Sequence, residues 1–143
     1  MPQGRDGRDD IGSRDDIARL YLEKGAAALA SAKKLMECDD CLGANNRIYY
    51  AIYYAISALH TLDGNVYRKH KGTLSGFQKD YIRTGIFPKE WSAVIQGAEL
   101  LRLSSDYDPM FLIDREETQE QLEQAEKILP RIAEYCETRM THD

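Results

Sequence analysis

Apolar residues recur along this chain at three- and four-residue intervals, the spacing of helices with one buried face, and the pattern predicts five of them. Ile17, Tyr21, Ala28, Ala32 and Leu35 predict a first helix from about Arg14 to Glu37, opened by the capping-box-like Ser13-Arg-Asp-Asp16. Asp39, Asp40 and Gly43 mark a turn. Beyond it, Ala44, Ile48, Ala51, Ile52, Ala55, Leu59 and Leu62 predict a second helix that ends near Asp63-Gly64. Tyr49, Tyr50, Tyr53 and Tyr54 make that helix apolar or aromatic nearly all round, so it should be the central helix or lie at an oligomer interface. A polar, basic connection over 65–73 leads to a short helix with Leu74, Phe77, Gln78, Tyr81 and Ile82, closed near Gly85. Pro88 falls in the first turn of a fourth helix with the stripe Trp91, Val94, Ala98, Leu101 and Ser105, which Pro109 ends. Asp114 with Glu117 opens a fifth, carrying Thr118, Leu122, Ala125, Leu129, Ile132 and Cys136, and Pro130 predicts a kink or break in it. Nowhere do β-branched residues alternate with polar ones between turn signals. The expected architecture is all-α, an antiparallel bundle of four to five helices, with a flexible tail over 1–13 and a single domain over 14–143.

Composition narrows the function classes. With 143 residues, 43% hydrophobic and 30% charged, the chain can bury a core without staples, and no apolar run approaches the roughly 20 residues that span a bilayer. The net charge of −5 requires any nucleic-acid contact to come from a local basic patch. Three cysteines, an odd number, and a charged start without a leader-like apolar segment point to the reducing cytoplasm. Cys38-Asp-Asp-Cys41 has no second pair to complete a zinc site, so neither a metal nor a cofactor is expected. His60 and His142 are better explained by packing and by solvation than by ligation. Gly-rich phosphate loops, nucleophile elbows and helical metalloprotease motifs are all absent from the sequence.

Three segments in order carry a resemblance. Asn46-Arg-Ile-Tyr-Tyr-Ala-Ile-Tyr-Tyr-Ala55 resembles the second-helix signature of HEPN domains. His70-Lys-Gly72 with Phe77 is similar to the family's His-Lys-Gly loop and downstream aromatic, and Leu101-Arg-Leu-Ser-Ser-Asp-Tyr-Asp108 to its late Arg and Asp-Tyr segment. Together they cover about residues 14 to 138. The resemblance implies a HEPN-like helical bundle that often homodimerises, is frequently encoded beside a minimal nucleotidyltransferase as a toxin–antitoxin pair, and in its active members cleaves RNA without metal. The family's catalytic hallmark is Arg followed, after four to six residues, by His. Here the stretch starts at Arg102 and Tyr107 stands where that histidine would be.

Cleavage of RNA through its own 2′-hydroxyl needs a group that exchanges a proton near pH 7 and a cation to hold phosphorane charge. Arg102 suits the second task. Tyr107, with an ordinary pKa of about 10, is a poor neutral-pH base but could donate a proton, bind phosphate or, by the family's habit of tyrosine modification, accept a nucleotidyl group from the partner. His70 could supply the base if it approaches Arg102, with Arg68, Lys69 and Lys71 as a patch for RNA or nucleotide. The plainer reading of that run is a solvated basic loop. Arg102 and Asp106, four apart, could equally be an intrahelical ion pair. Arg47, flanking Tyr50 on an apolar helix, must pair with a carboxylate, stack on a ring or face a cleft, and a buried ion pair leads among these. Two functions therefore stand: a toxin-type endoribonuclease using Arg102 with His70 or Tyr107, supported by Asp106 and Tyr50, and a non-catalytic module that binds a nucleotidyltransferase, a nucleotide or single-stranded RNA through the same residues.

Overall fold

The structure, a computed structural model, describes residues 7–67 and 69–140. Its elements are α1 (Gly7–Glu37), α2 (Cys41–Asp63), α3 (His70–Phe77), α4 (Trp91–Tyr107) and α5 (Arg115–Arg139), with no strand among the described residues. This is the all-α bundle expected. Helix α1 starts at Gly7, so residues 7–13 of the expected tail are helical and Ser13-to-Asp16 lies inside the helix instead of opening it. No proline interrupts that stretch, and an isolated glycine costs about 1 kcal/mol without ending a helix.

Helix α2 is central and packs against all four of the others. Ala44, Ile48, Ala51, Ile52, Ala55 and Leu59 are buried as the periodicity requires, and so are Tyr49, Ile56 and Ala58 around the circumference. Asp40 caps its start by accepting from the Gly43 amide at 2.9 Å, and Gly64, at φ 76°, closes it in the left-handed conformation. The face that α1 turns inward keeps Ala28 and Ala32 of the expected stripe but differs by one position at its ends: Ala18 and Met36 are buried, whereas Ile17 is 45% exposed. Small residues win there because they let two backbones approach. A Cβ on Gly25 would lie 3.1 Å from the Ala51 carbonyl oxygen and 3.5 Å from Leu129. Gly25→Leu should therefore overpack the junction of α1, α2 and α5 and destabilise the chain by about 1–3 kcal/mol, read as a lowered Tm in thermal unfolding.

The α2–α3 connection departs most from expectation. The helix begins at His70, within the segment read as a loop, and a π-helical turn over Gln78–Ile82 continues it. Packing explains both: Thr73 is 3% exposed and its carbonyl accepts from His60, while Tyr81 is buried against α2 and donates to the Leu59 carbonyl and to Asp63. Tyr67 lies across α3 where Gly76 leaves room, a Cβ there being 2.5 Å from the tyrosine ring. Pro88 precedes α4 rather than sitting in its first turn, its carbonyl accepting from the Trp91 amide at 3.1 Å. Asp114 caps α5 through the Glu116 amide, and α5 runs on past Pro130 without a break. A buried bond from Asn45 to Thr118, 2.9 Å long, ties α2 to α5.

Candidate functional site

The tyrosines of α2, the first residue of α3 and the second half of α4 converge on one side of the bundle. Tyr49 is 2% exposed, so its hydroxyl needs a partner. It finds His70 Nδ1 at 3.0 Å. The imidazole is packed among three rings, at 4.2 Å between centroids from Tyr53, 5.7 Å from Tyr50 and 5.8 Å from Tyr49. On α4, the Arg102 guanidinium lies 4.7 Å from the Tyr49 ring centroid, a cation–π contact, and donates to Asp106 at 3.1 Å. Its Nε is buried and has no hydrogen-bond partner. The Arg102 side chain is 17% exposed, so part of the guanidinium remains open to solvent.

The electrostatics of this cluster are consistent. Burial pushes the Tyr49 phenol up to about 12, with the Arg102 charge pulling the other way, so Tyr49 is neutral at physiological pH. Burial, and then the positive charge of Arg102, hold His70 below its ordinary value against an opposing pull from Glu99. His70 is thus a neutral imidazole at pH 7, able to take a proton and quick to return it. The phenol can donate to Nδ1 or accept from it. When it accepts from Nδ1–H, Nε2 keeps the lone pair that a general base requires.

Arg102 also lines a cleft of about 390 Å³ between the start of α2 and the end of α4, with Asn46, Arg47, Ser105 and Asp106. Arg47 is not in the buried ion pair expected. Its guanidinium donates to Asn46 at 2.9 and 3.2 Å and sits 5.3 Å from the Tyr50 ring centroid, because the face of α2 it occupies offers a ring and an amide instead of a carboxylate. Two cations therefore share one cleft, next to the ring cluster that holds His70.

Not every candidate joins them. Tyr107 is 78% exposed at the end of α4, which stays wound to that residue, the Asp108 amide still bonding to the Ser104 carbonyl. Lys69 and Lys71 flank His70 as exposed side chains, while Arg68 and His142 lie outside the described residues. The residue that sequence reasoning missed is Tyr49, which joins the histidine to the arginine. Its signal was a tyrosine at a core position of α2, where a hydroxyl cannot go unpaired. No group of three or more His, Cys, Asp or Glu among the described residues could hold a metal ion.

Tyr49 has a measurable role in this arrangement. Tyr49→Phe keeps the ring under Arg102 and removes the bond to Nδ1, so the tautomer balance of His70 should change, visible as altered imidazole ¹⁵N shifts in NMR. Arg102→Ala should instead raise the His70 pKa toward 6.5 by removing a repelling charge.

A helical bundle with a histidine seated in a tyrosine cage beside paired arginines is the class of protein that the fold and site define. The chain belongs to the HEPN domain family, which it matches over residues 18–135. It is similar to a "UPF0332 protein" of Thermotoga maritima, 28% identical over 127 residues that cover 89% of this chain and 96% of the relative. It is also similar to "Putative toxin MJ0142" of Methanocaldococcus jannaschii, 29% identical over 114 residues, 80% of this chain and 78% of the relative. Among the described residues, no helix is long and apolar enough to cross a membrane.

Proposed function

We propose that this chain is the toxin component of a toxin–antitoxin pair and a metal-independent endoribonuclease, with His70 taking the place of the histidine missing after Arg102. The observation that carries the reading is the His70–Tyr49–Arg102 arrangement, an imidazole and a cation sharing one tyrosine. In this mechanism His70 Nε2 takes the 2′-hydroxyl proton and the 2′-oxygen attacks the adjacent phosphorus. The bond from phosphorus to the 5′-oxygen breaks, and His70 returns the proton to that leaving oxygen. The products are a 2′,3′-cyclic phosphate and a 5′-hydroxyl. Arg102, through its unspent Nε–H, stabilises charge on the phosphorane, and Arg47 holds a neighbouring phosphate in the shared cleft. Lys69 and Lys71 extend the basic track around His70. The relative named as a toxin supports the toxin half of this reading.

The partners proposed are a second copy of the chain and a minimal nucleotidyltransferase acting as antitoxin. An apolar stripe on the outer face of α4, Leu100, Leu103 and Tyr107, stands 65%, 38% and 78% exposed and offers a surface for them. Tyr107 is also open to nucleotidylation there. The Arg102–Asp106 ion pair favours a second reading, in which the cleft binds RNA or nucleotide without cleaving it.

The deciding experiment is incubation of the purified chain with end-labelled single-stranded RNA in excess EDTA. Cleavage with cyclic phosphate ends is the expected result. RNA that is bound and left intact would overturn the nuclease and leave the binding module.

A further inference from the structure

Only one of the four tyrosines grouped on α2 spends its hydroxyl inside the protein. Tyr49 is buried and bonds to His70, whereas Tyr50, Tyr53 and Tyr54 are half-buried and their hydroxyls make no hydrogen bond among the described residues. Their rings continue across the surface of the bundle onto α1. Tyr54 lies 6.0 Å from Tyr50 and 6.1 Å from Tyr53 between ring centroids, and it stacks on Tyr21 of α1 at 6.2 Å. Cations stand along this row. The Arg47 guanidinium lies 5.3 Å from the Tyr50 centroid at one end, and Lys24 Nζ lies 5.6 Å from the Tyr54 centroid toward the other. Arg14 opens on the same cavity of about 350 Å³ as Tyr21 and Tyr53. Arg14, Lys24 and Arg47 form no ion pair with a carboxylate among the described residues.

The periodicity of α1 puts its share of these groups together. Arg14, Ile17, Tyr21 and Lys24 follow one another at intervals of three and four residues and share one face, while Asp16 and Glu23 fall on another. In a chain of net charge −5, that separation is what a local basic patch requires. Aromatic rings flanked by cations are the elements that hold a single strand: unpaired bases lay their faces on the rings, and the backbone phosphates meet the charges. A duplex keeps its bases in the stack and offers such rings only its backbone. We propose that this row of tyrosines is a sequence-tolerant binding track for single-stranded RNA, leading the strand from the cleft of Arg47 and Arg102 past His70 to Lys24 and Arg14. The choice of RNA rests on the ribonuclease reading above; the track itself rests on the rings and cations. Every base has an aromatic face, and a tyrosine hydroxyl both donates and accepts, so the track selects no base by hydrogen bonding.

The test is fluorescence anisotropy of the full chain with labelled 2′-O-methyl RNA of about 12 nucleotides, within the span of a single-strand site. Such strands lack the 2′-hydroxyl that cleavage needs, so binding is read apart from any nuclease. Oligo-A and oligo-U should both bind, within about tenfold of each other, and their duplex at least about tenfold more weakly. Tyr50→Leu and Tyr54→Leu, which keep apolar area against the core, should each weaken the single strand about five- to a hundredfold. Lys24→Gln, a change at an exposed side chain, should lessen the slope of log affinity against log salt by about 0.7, the share of one phosphate contact. Lys33→Gln, on the side of α1 beside α5, should change neither. The inference is overturned if Tyr54→Leu and Lys24→Gln bind as the wild type does, or if duplex and single strand bind equally, which would leave a charged surface with no stacking role. It is also overturned if these variants alter only the sedimentation of the chain, which would make the row an interface between two copies. The nuclease is judged separately: binding of the methylated strand without cleavage of ordinary RNA keeps the track and removes the nuclease. Cleavage that Tyr54→Leu and Lys24→Gln leave unchanged at RNA concentrations below KM does the reverse.

Discussion

Replacing His70 by alanine is expected to lower the rate of RNA cleavage by about 10²–10⁴, the usual contribution of a positioned proton-transfer group. The side chain is partly exposed and packs on its cage from one side, so the bundle should keep its helical circular dichroism. Added imidazole should restore part of the activity, which a purely structural loss would not allow. The wild-type pH profile offers an independent check. His70 titrates below its ordinary 6.5, and the neutral form is the base, so the rate should rise with pH, reach half its plateau below pH 6.5 and be flat through neutrality. A profile still rising at pH 8 would assign the base to another group. Activity retained in His70→Ala would exclude this histidine outright and return the chemistry to Tyr107 or to no catalysis.

The fold was legible wherever large apolar residues mark a face. α2 was central because tyrosines and aliphatics fill its circumference, and α5 buried Thr118, Leu122, Ala125, Leu129, Ile132 and Cys136 at the spacing read from the chain. α1 was legible at Ala28 and Ala32 but off by one position at its ends, since Ala18 and Gly25 complete its contact face with small side chains that give a weak hydrophobic signal while permitting the closest backbone approach. The site was legible in its parts and not in its assembly. Periodicity places residues on one helix, so the Arg102–Asp106 pair, four residues apart, could be read from the chain. It says nothing of which residues meet across helices. His70 reaches Tyr49 only because α3 starts three residues before Thr73, whose burial and bond to His60 fix the turn, and nothing local to His70 announces that.

Arg102→Ala should cost about 10²–10³ in kcat, comparable to removing one donor from a preorganised oxyanion site. Its Nε is held in the protein without a partner, a state that disfavours the free enzyme and is relieved as charge grows on the phosphorane. An interaction that strengthens only along the reaction lowers the barrier, whereas one made equally with bound RNA changes KM alone. The split between the two constants is therefore the measurement that matters: a fall in kcat places Arg102 at the reacting phosphate, and a rise in KM with kcat intact makes it a binding residue of the cleft it shares with Arg47. The same variant carries a second signature. Without the guanidinium, His70 loses a repelling charge, its pKa rises toward 6.5, and the acid limb of whatever rate remains must move to higher pH. Arg102→Lys keeps a charge and forfeits the planar donor fork, so it should leave the pH profile nearly in place while recovering little of kcat. Loss of rate in Arg102→Ala with the acid limb unmoved would separate Arg102 from His70 and dissolve the site into two unrelated features. Coupled movement would tie the arginine, through Tyr49, to the histidine that the sequence alone had placed in a loop.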